Sequence, residues 1–150
     1  MHTTVDLLIP EATAADVFAE VATLDRYPPW MRLVHRVEEL PPDDGRPAWR
    51  VELRARVGPF ARSKQLRMVR TEYEPDRSAR FERVQHDGRD HAAWILGVTV
   101  EDVEGGANVS MELTYSGKLW GSAVLQRVLD DEVRRGKDAL QRVVSAEPTR

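Results

Sequence analysis

The sequence predicts an α+β fold in which a seven-stranded antiparallel sheet packs against one long C-terminal helix. Three features support this prediction: apolar and polar residues alternate over residues 49–57, short turn sequences separate further alternating stretches, and apolar residues recur at helical spacing over residues 119–144. Strands joined by short turns form an antiparallel meander with one apolar face. We expect the long helix to cover that face, because its own apolar stripe must also be buried.

The N-terminal part predicts a strand followed by a short helix. Residues 3–10 form a β-prone run that ends in proline. Thr13, with an aspartate three positions later, is a variant of the helix N-cap box, and apolar residues at helical spacing then predict a helix over residues 14–24. Pro28 and Pro29 prevent a regular continuation, because each disfavours the α conformation in the residue before it.

Six further strands are predicted by alternating polarity. The run from Pro41 to Gly45 has strong turn chemistry and is expected to end one of them at residue 40, and Asp87-Gly88 is a common hairpin dipeptide. The stretch of residues 64–73 has apolar residues on both faces, so the sequence does not decide which face points inward. The predicted strands cover residues 34–40, 49–57, 64–73, 79–85, 91–103 and 109–115.

The long helix carries two exceptions on its apolar face. Glu132 lies near the centre of the stripe, and Gly136 lies one turn further on, where a helix that packs on a core usually has a side chain. A buried carboxylate needs a polar partner, and a missing side chain leaves space. These two residues predict a cavity between the helix and the sheet.

Length and composition indicate a single globular domain over residues 1–150. The net charge of -3 gives no general attraction to nucleic acids, so we expect no nucleic-acid partner. The absence of cysteine excludes disulfides and thiol nucleophiles and fits a reducing compartment. No signal peptide, membrane span, metal-binding motif or phosphate-binding glycine loop is recognised, so we expect a cytoplasmic protein without metal or cofactor.

The order of elements resembles one known group of proteins. The Tyr27-Pro28-Pro29-Trp30 turn, the Gly-Gly hairpin before the strand that ends at Tyr115, and the terminal amphipathic helix look like the polyketide cyclase/dehydrase branch of the START-like, helix-grip (SRPBCC) superfamily. The resemblance covers nearly the whole chain. It implies a curved sheet wrapped around the C-terminal helix, with an apolar pocket between them. Relatives bind lipids, isoprenoids, hormones or polyketides, and a minority catalyse cyclisation and dehydration. No catalytic residue of the family maps onto this sequence by motif.

The predicted ligand contacts come from the inner sheet face and the long helix. Glu132 and Tyr115 are the candidates for acid or base chemistry, because a desolvated carboxylate or an inward hydroxyl can move a proton. Alternatively, Glu132 pairs with Arg67, Arg70 or Arg83, or reaches solvent, and the aromatic residues fill an ordinary core. The predicted set is Trp49, Leu53, Met68, Phe81, Trp94, Leu96, Met111, Tyr115, Leu125, Leu129, Glu132 and Gly136.

The favoured function is a carrier or sensor of a small hydrophobic molecule, such as a lipid, an isoprenoid or an aromatic polyketide. The first alternative is a polyketide aromatase/cyclase that uses cavity acid or base groups. The second is an interaction module like the coenzyme Q-binding relatives, acting on a membrane-bound partner. His86 and His91 flank a predicted hairpin tip that offers no supporting ligands, so no metal site is expected there.

Overall fold

A computed structural model describes residues 2–57, 59–116 and 122–146; within them, the side chains of residues 57, 122–125, 128, 129, 133 and 146 are not described. Seven strands, two α-helices and a 3₁₀ helix are found in these residues. Their order along the chain is β1 (His2–Pro10), α1 (Ala14–Val21), the 3₁₀ helix (Leu24–Arg26), β2 (Val34–Asp43), β3 (Arg46–Val57), β4 (Phe60–Glu74), β5 (Ser78–Arg83), β6 (Trp94–Val103), β7 (Gly106–Tyr115) and α2 (Ser122–Ala146).

The seven strands form one curved sheet in the order β1-β7-β6-β5-β4-β3-β2. All six neighbouring pairs are antiparallel. Strands β2 to β7 follow one another as a meander, and β1 joins the far side of β7. Helix α2 lies against β1 and α1, α1 lies against β6 and β7, and the part of α2 near Glu132 and Gly136 faces a cavity on the inner side of the sheet. The α+β fold with seven antiparallel strands and a C-terminal helix is confirmed.

The first helix begins where the N-cap pattern predicts. The Thr13 side chain accepts a hydrogen bond from the amide of Asp16 at 3.1 Å, which satisfies one of the unpaired donors of the first turn. The helix ends at Val21, and Leu24–Arg26 follow as a 3₁₀ helix. The predicted range of residues 14–24 was therefore too long at its C-terminal end.

The predicted end of β2 at residue 40 was wrong. The strand continues through Pro41 and Pro42 to Asp43, and the chain reverses over Asp44 and Gly45, both of which have positive φ values. β2 is an edge strand, and its pairing with β3 shifts in register between residues 40 and 43. Proline is tolerated at such a position, because an edge or a bulge does not need its missing amide donor.

β5 and β6 pair as an antiparallel hairpin, but their connection is longer than the predicted residues 86–90. β5 ends at Arg83 and β6 begins at Trp94, so residues 84–93 form a longer connection. The Arg83 guanidinium organises this loop, since it donates to the side chain of Gln85 at 2.7 Å and to the carbonyl of Ala92 at 3.2 Å. These contacts hold residues on both sides of the predicted link outside the strands.

Candidate functional site

An apolar cavity of about 110 Å³ lies on the inner face of the sheet, where the segment of residues 24–34 and helix α2 close over it. Carbon atoms form almost all of its surface. Seven of the predicted ligand contacts line it. They are Leu53, Met68, Trp94, Leu96, Met111, Glu132 and Gly136.

Three predicted contacts are placed differently, and two more have side chains that the structure does not describe. Trp49, Phe81 and Tyr115 are buried but are not among the described residues that line the cavity. The Trp49 indole donates from Nε1 to the carboxylate of Asp25 at 3.0 Å, and its ring packs 5.7 Å from that of Phe81. These contacts give Trp49 and Phe81 a role in the core. The side chains of Leu125 and Leu129 lie outside the described part of the structure.

Strand β1 contributes a wall of the cavity that the sequence analysis missed. Thr3, Val5 and Leu7 line the space, and β1 reaches it by pairing with β7, where Val5 lies opposite Met111. Residues that face each other across an antiparallel pair share one face of the sheet. The alternation of these three residues was the available signal. Other cavity residues that the prediction missed are Leu24, Tyr27, Trp30, Met31, Leu33, Val34, Val51, Leu66 and Leu113.

Glu132 closes one side of the cavity through a structural hydrogen bond. Its Oε2 atom accepts from the backbone amide of Arg32 at 2.7 Å. The strand arginines considered as its partners are engaged elsewhere: Arg67 pairs with Asp43, and Arg70 donates to the carbonyl of Ala22 at 2.8 Å. Arg83, the third of them, holds the loop over residues 84–93. Glu132 therefore links α2 to the segment that covers the cavity.

Gly136 lets the segment of residues 24–34 approach α2 closely. A Cβ atom at this position would lie 3.3 Å from the carbonyl oxygen of Trp30, which is closer than an ordinary carbon–oxygen contact. Because Gly136 also lines the cavity, its missing side chain serves both the close approach and the open space. The two residues that the helical pattern singled out thus lie one turn apart at the same contact.

Two tryptophan side chains in the cavity wall have buried N–H groups without a partner. Trp30 and Trp94 are 2% and 3% exposed, and in the described structure neither Nε1 atom makes a hydrogen bond. Trp94 stacks at 4.4 Å on Tyr115, and Trp30 stacks at 4.5 Å on Tyr27. Their rings form a rigid aromatic wall, which suits flat apolar molecules.

Tyr27 and Glu132 are the titratable groups among the described residues of the cavity wall. The Tyr27 hydroxyl donates to the carbonyl of Val21 at 2.8 Å, and complete burial raises the pKa of this hydroxyl above its ordinary value. It therefore stays protonated at neutral pH. The Tyr27 proton is thus directed at a backbone carbonyl, and one of the two Glu132 oxygens accepts from a backbone amide.

Basic side chains border the cavity on the inner sheet face. Lys64 lies opposite Leu53 and Arg83 opposite Met68. Burial lowers the pKa of Lys64, and the nearby charge of Arg83 lowers that pKa further. The edge of the cavity is thus cationic although its interior is apolar.

The two histidines near the predicted hairpin tip have separate partners. His86 contacts Asp43 at 2.7 Å, and His91 contacts Asp87 at 2.8 Å. Within residues 2–57, 59–116 and 122–146 no group of three or more His, Asp or Glu side chains could hold a metal ion. Nor is either described α-helix long and apolar enough to cross a membrane.

Comparisons with known proteins agree with this architecture. A family model described as "Polyketide cyclase / dehydrase and lipid transport" matches residues 1–145. Among curated proteins, no sequence is significantly similar to this chain.

Solved structures share the fold at low sequence identity. TTHA0849 from Thermus thermophilus has a TM-score of 0.74 and 17% identity, over 99% of this chain and 100% of that one. A START superfamily protein from Mycobacterium smegmatis has a TM-score of 0.66 and 14% identity, over 97% of both chains. The di-domain ARO/CYC StfQ of the steffimycin biosynthetic pathway has a TM-score of 0.69 and 12% identity. The match to StfQ covers 97% of this chain and 50% of that protein.

Proposed function

The chain belongs to the polyketide cyclase/dehydrase and lipid transport family, and we propose that it binds a small hydrophobic ligand in the cavity between sheet and α2. The observation that carries this proposal is the nearly all-carbon surface of that cavity. A ligand that replaces water there gains about 25 cal/mol for each Å² of apolar surface removed from water. Affinity comes from burial of ligand carbon, and shape selection comes from the walls of Trp30 and Trp94.

The volume of the cavity limits which part of a ligand it holds. An engineered apolar cavity of about 150 Å³ binds benzene or xenon. The 110 Å³ found here suits one aromatic ring or a short alkyl segment. A lipid, an isoprenoid or an aromatic polyketide therefore places one end in the cavity and extends past the cationic edge, or displaces part of the wall.

A polyketide aromatase/cyclase is the second candidate. The fold shared with the ARO/CYC protein StfQ favours it. The local chemistry favours binding, because the Tyr27 hydroxyl donates to a backbone carbonyl and one Glu132 oxygen accepts from a backbone amide. A cyclase would need one of these groups, or Tyr115, to exchange a proton with the substrate.

A thermal shift experiment with benzene tests the binding proposal. At ten times its dissociation constant, a ligand that binds only the folded state stabilises it by about 1.4 kcal/mol, which raises the melting temperature of a chain of this size by roughly 3–6 °C. The variant Val5→Phe fills the cavity and is expected to abolish the shift. Thr4→Phe is the matched control, because Thr4 is exposed on the outer face of the same strand.

Two results would contradict the proposal. One is the absence of a benzene shift in the unmodified protein, and the other is an equal shift in Val5→Phe and Thr4→Phe. Native mass spectrometry after gentle purification adds an independent reading, because a carrier is expected to retain a hydrophobic ligand from its host.

A further inference from the structure

The β3–β4 hairpin projects beyond the strands on both sides of it. β2 pairs with β3 as far as Leu53, and β5 pairs with β4 from Met68 onward. Beyond these positions β3 and β4 pair with each other, apart from two hydrogen bonds: the amide of Arg54 donates to the carbonyl of Leu33, and the amide of Val84 donates to that of Arg67. We call residues 54–57 and 59–64 the distal hairpin. In this two-stranded arm residues 59–63 of the β4 side are exposed, whereas Ala55 on the β3 side is buried against the body of the protein.

The arm carries a concentration of positive charge in a chain whose net charge is -3. Between Glu52 and Glu72 there are six lysine and arginine residues and no acidic residue. Two of the six, Arg67 and Arg70, are hydrogen-bonded near the base of the hairpin. The side chains of the other four make no hydrogen bond or ion pair within the described structure: Arg54, Arg56, Arg62 and Lys64.

Two acidic groups near the arm are already engaged. Asp131 and Glu132 line the same surface groove as Arg54 and Arg56. Asp131 pairs with Arg134, and Glu132 accepts from the amide of Arg32. Neither carboxylate forms an ion pair with Arg54 or Arg56 in the described structure, so both cations are open to a partner outside this chain.

An exposed aromatic residue stands at the end of the arm. Phe60 is 68% exposed, more than any other large apolar side chain in the described structure. A strand rises about 3.3 Å per residue. Arg62, two residues along β4, and Arg56, which pairs with Ala61, therefore lie roughly 3–7 Å behind Phe60.

The cations surround the arm. Arg62 lies opposite Ala55 and Lys64 opposite Leu53, so these two side chains share the inner face. Arg54 and Arg56 alternate with those residues and point to the outer face. An aromatic tip with cations a few Å behind it matches the depth profile of a bilayer surface, where apolar groups enter by about 5–10 Å and basic groups meet anionic lipids.

We propose that the distal hairpin docks on an anionic phospholipid membrane, with Phe60 inserted at the headgroup boundary and the four cations against lipid phosphates. A membrane fits better than an acidic protein, because a protein interface needs about 800 Å² of complementary surface on each partner. A narrow arm with cations on both faces offers no such surface. Leu53 and Leu66 of the same two strands line the cavity, so docking brings the cavity close to the lipid.

Vesicle co-sedimentation tests the proposal with the full chain. We expect binding to vesicles that contain about 30% phosphatidylglycerol in phosphatidylcholine, weak binding to pure phosphatidylcholine, and loss of binding at high salt. Each basic residue near an anionic surface raises partitioning about fivefold, so the triple variant Arg54→Gln, Arg56→Gln, Arg62→Gln should lower it about 100-fold. Phe60→Ser should lower it roughly tenfold.

A second triple variant controls for net charge. Arg46, Arg89 and Arg142 lie at the end of β3 opposite the arm, on the loop between β5 and β6, and on α2. Their replacement by glutamine removes the same charge and is expected to leave vesicle binding within about twofold of the original, because the field of a charge weakens with distance. The benzene-induced thermal shift should persist in all of these variants, so failure of docking is distinguishable from failure of ligand binding.

Three outcomes would overturn the docking proposal. The first is equal binding to anionic and neutral vesicles, and the second is an equal loss of binding in the two triple variants. The third is binding to soluble polyglutamate with no binding to vesicles, which would identify an acidic protein as the partner.

Discussion

Replacement of Glu132 separates a structural role of its carboxylate from a chemical one. The carboxylate accepts a hydrogen bond from the amide of Arg32 at 2.7 Å and is half-buried. Hydrogen bonds to charged groups contribute about 1.5–3 kcal/mol to stability, and partial exposure favours the lower end of this range. We therefore expect Glu132→Ala to lower the free energy of unfolding by about 1.5 kcal/mol. Glu132→Gln keeps an acceptor oxygen without the charge and should cost about half as much.

Urea denaturation measures these changes directly. Asp138→Ala is the matched control on the same helix, because Asp138 is exposed and makes no hydrogen bond within the described structure. It should change stability by less than about 0.5 kcal/mol. Benzene affinity should stay within a few-fold in both Glu132 variants, because binding depends on the apolar wall.

Two results would refute this reasoning about Glu132. If Glu132→Ala leaves the urea midpoint unchanged, the hydrogen bond to the segment of residues 24–34 does not hold the cavity closed. If Glu132→Gln remains folded and binds a polyketide substrate that the original protein turns over, yet loses that turnover, the carboxylate acts as an acid or base. The cyclase candidate would then replace the carrier.

Three further predictions concern single side chains. Thr13→Ala removes the N-cap of α1 and should lower the free energy of unfolding, measured by urea denaturation, by about 1 kcal/mol. Trp49→Phe should lower the free energy of unfolding by about 1–2 kcal/mol more than Trp94→Phe. The first change leaves Asp25 without its indole donor, whereas the N–H of Trp94 has no partner to lose. Equal losses of stability would contradict this reasoning. Hydrogen bonds from Arg67 and His86 hold the pKa of Asp43 below its ordinary value. Ionised Asp43 therefore stabilises the fold above about pH 4, the ordinary pKa of an aspartate. This contribution is lost as the pH falls through the lower pKa that Asp43 has in the folded state. The urea midpoint of Asp43→Asn should therefore lie below that of the original protein at neutral pH and meet it in strong acid.

The sheet was predictable where one face is apolar and the other polar. Alternation over residues 49–57 predicted most of β3, which spans Arg46–Val57, because a strand with one buried face must place Val51 and Leu53 inward. The inner face of β4 was not predictable. Leu66 and Met68 face the cavity, but Val69 is also buried, and a register shift between residues 70 and 72 changes the phase.

The remaining errors arose from partners that are distant in sequence. Pro41 and Pro42 indicated a turn, yet they extend β2 because that strand lies at the sheet edge, and only the strand order shows this. The helical pattern placed Glu132 on the apolar side of α2, but its partner is a backbone amide 100 residues away, which no side-chain pattern reveals. Tyr115 and Trp49 share the inner face but lie beyond the cavity.

The most direct measurement of the central claim is a benzene titration followed through the indole N–H signals in ¹H–¹⁵N spectra. Trp30 and Trp94 line the cavity, whereas the indole of Trp49 donates to Asp25 away from it. We expect saturable shifts of the Trp30 and Trp94 signals and a stationary Trp49 signal. Unchanged signals from Trp30 and Trp94, or a Trp49 signal that moves as far as they do, would contradict the assignment of this cavity as the ligand site.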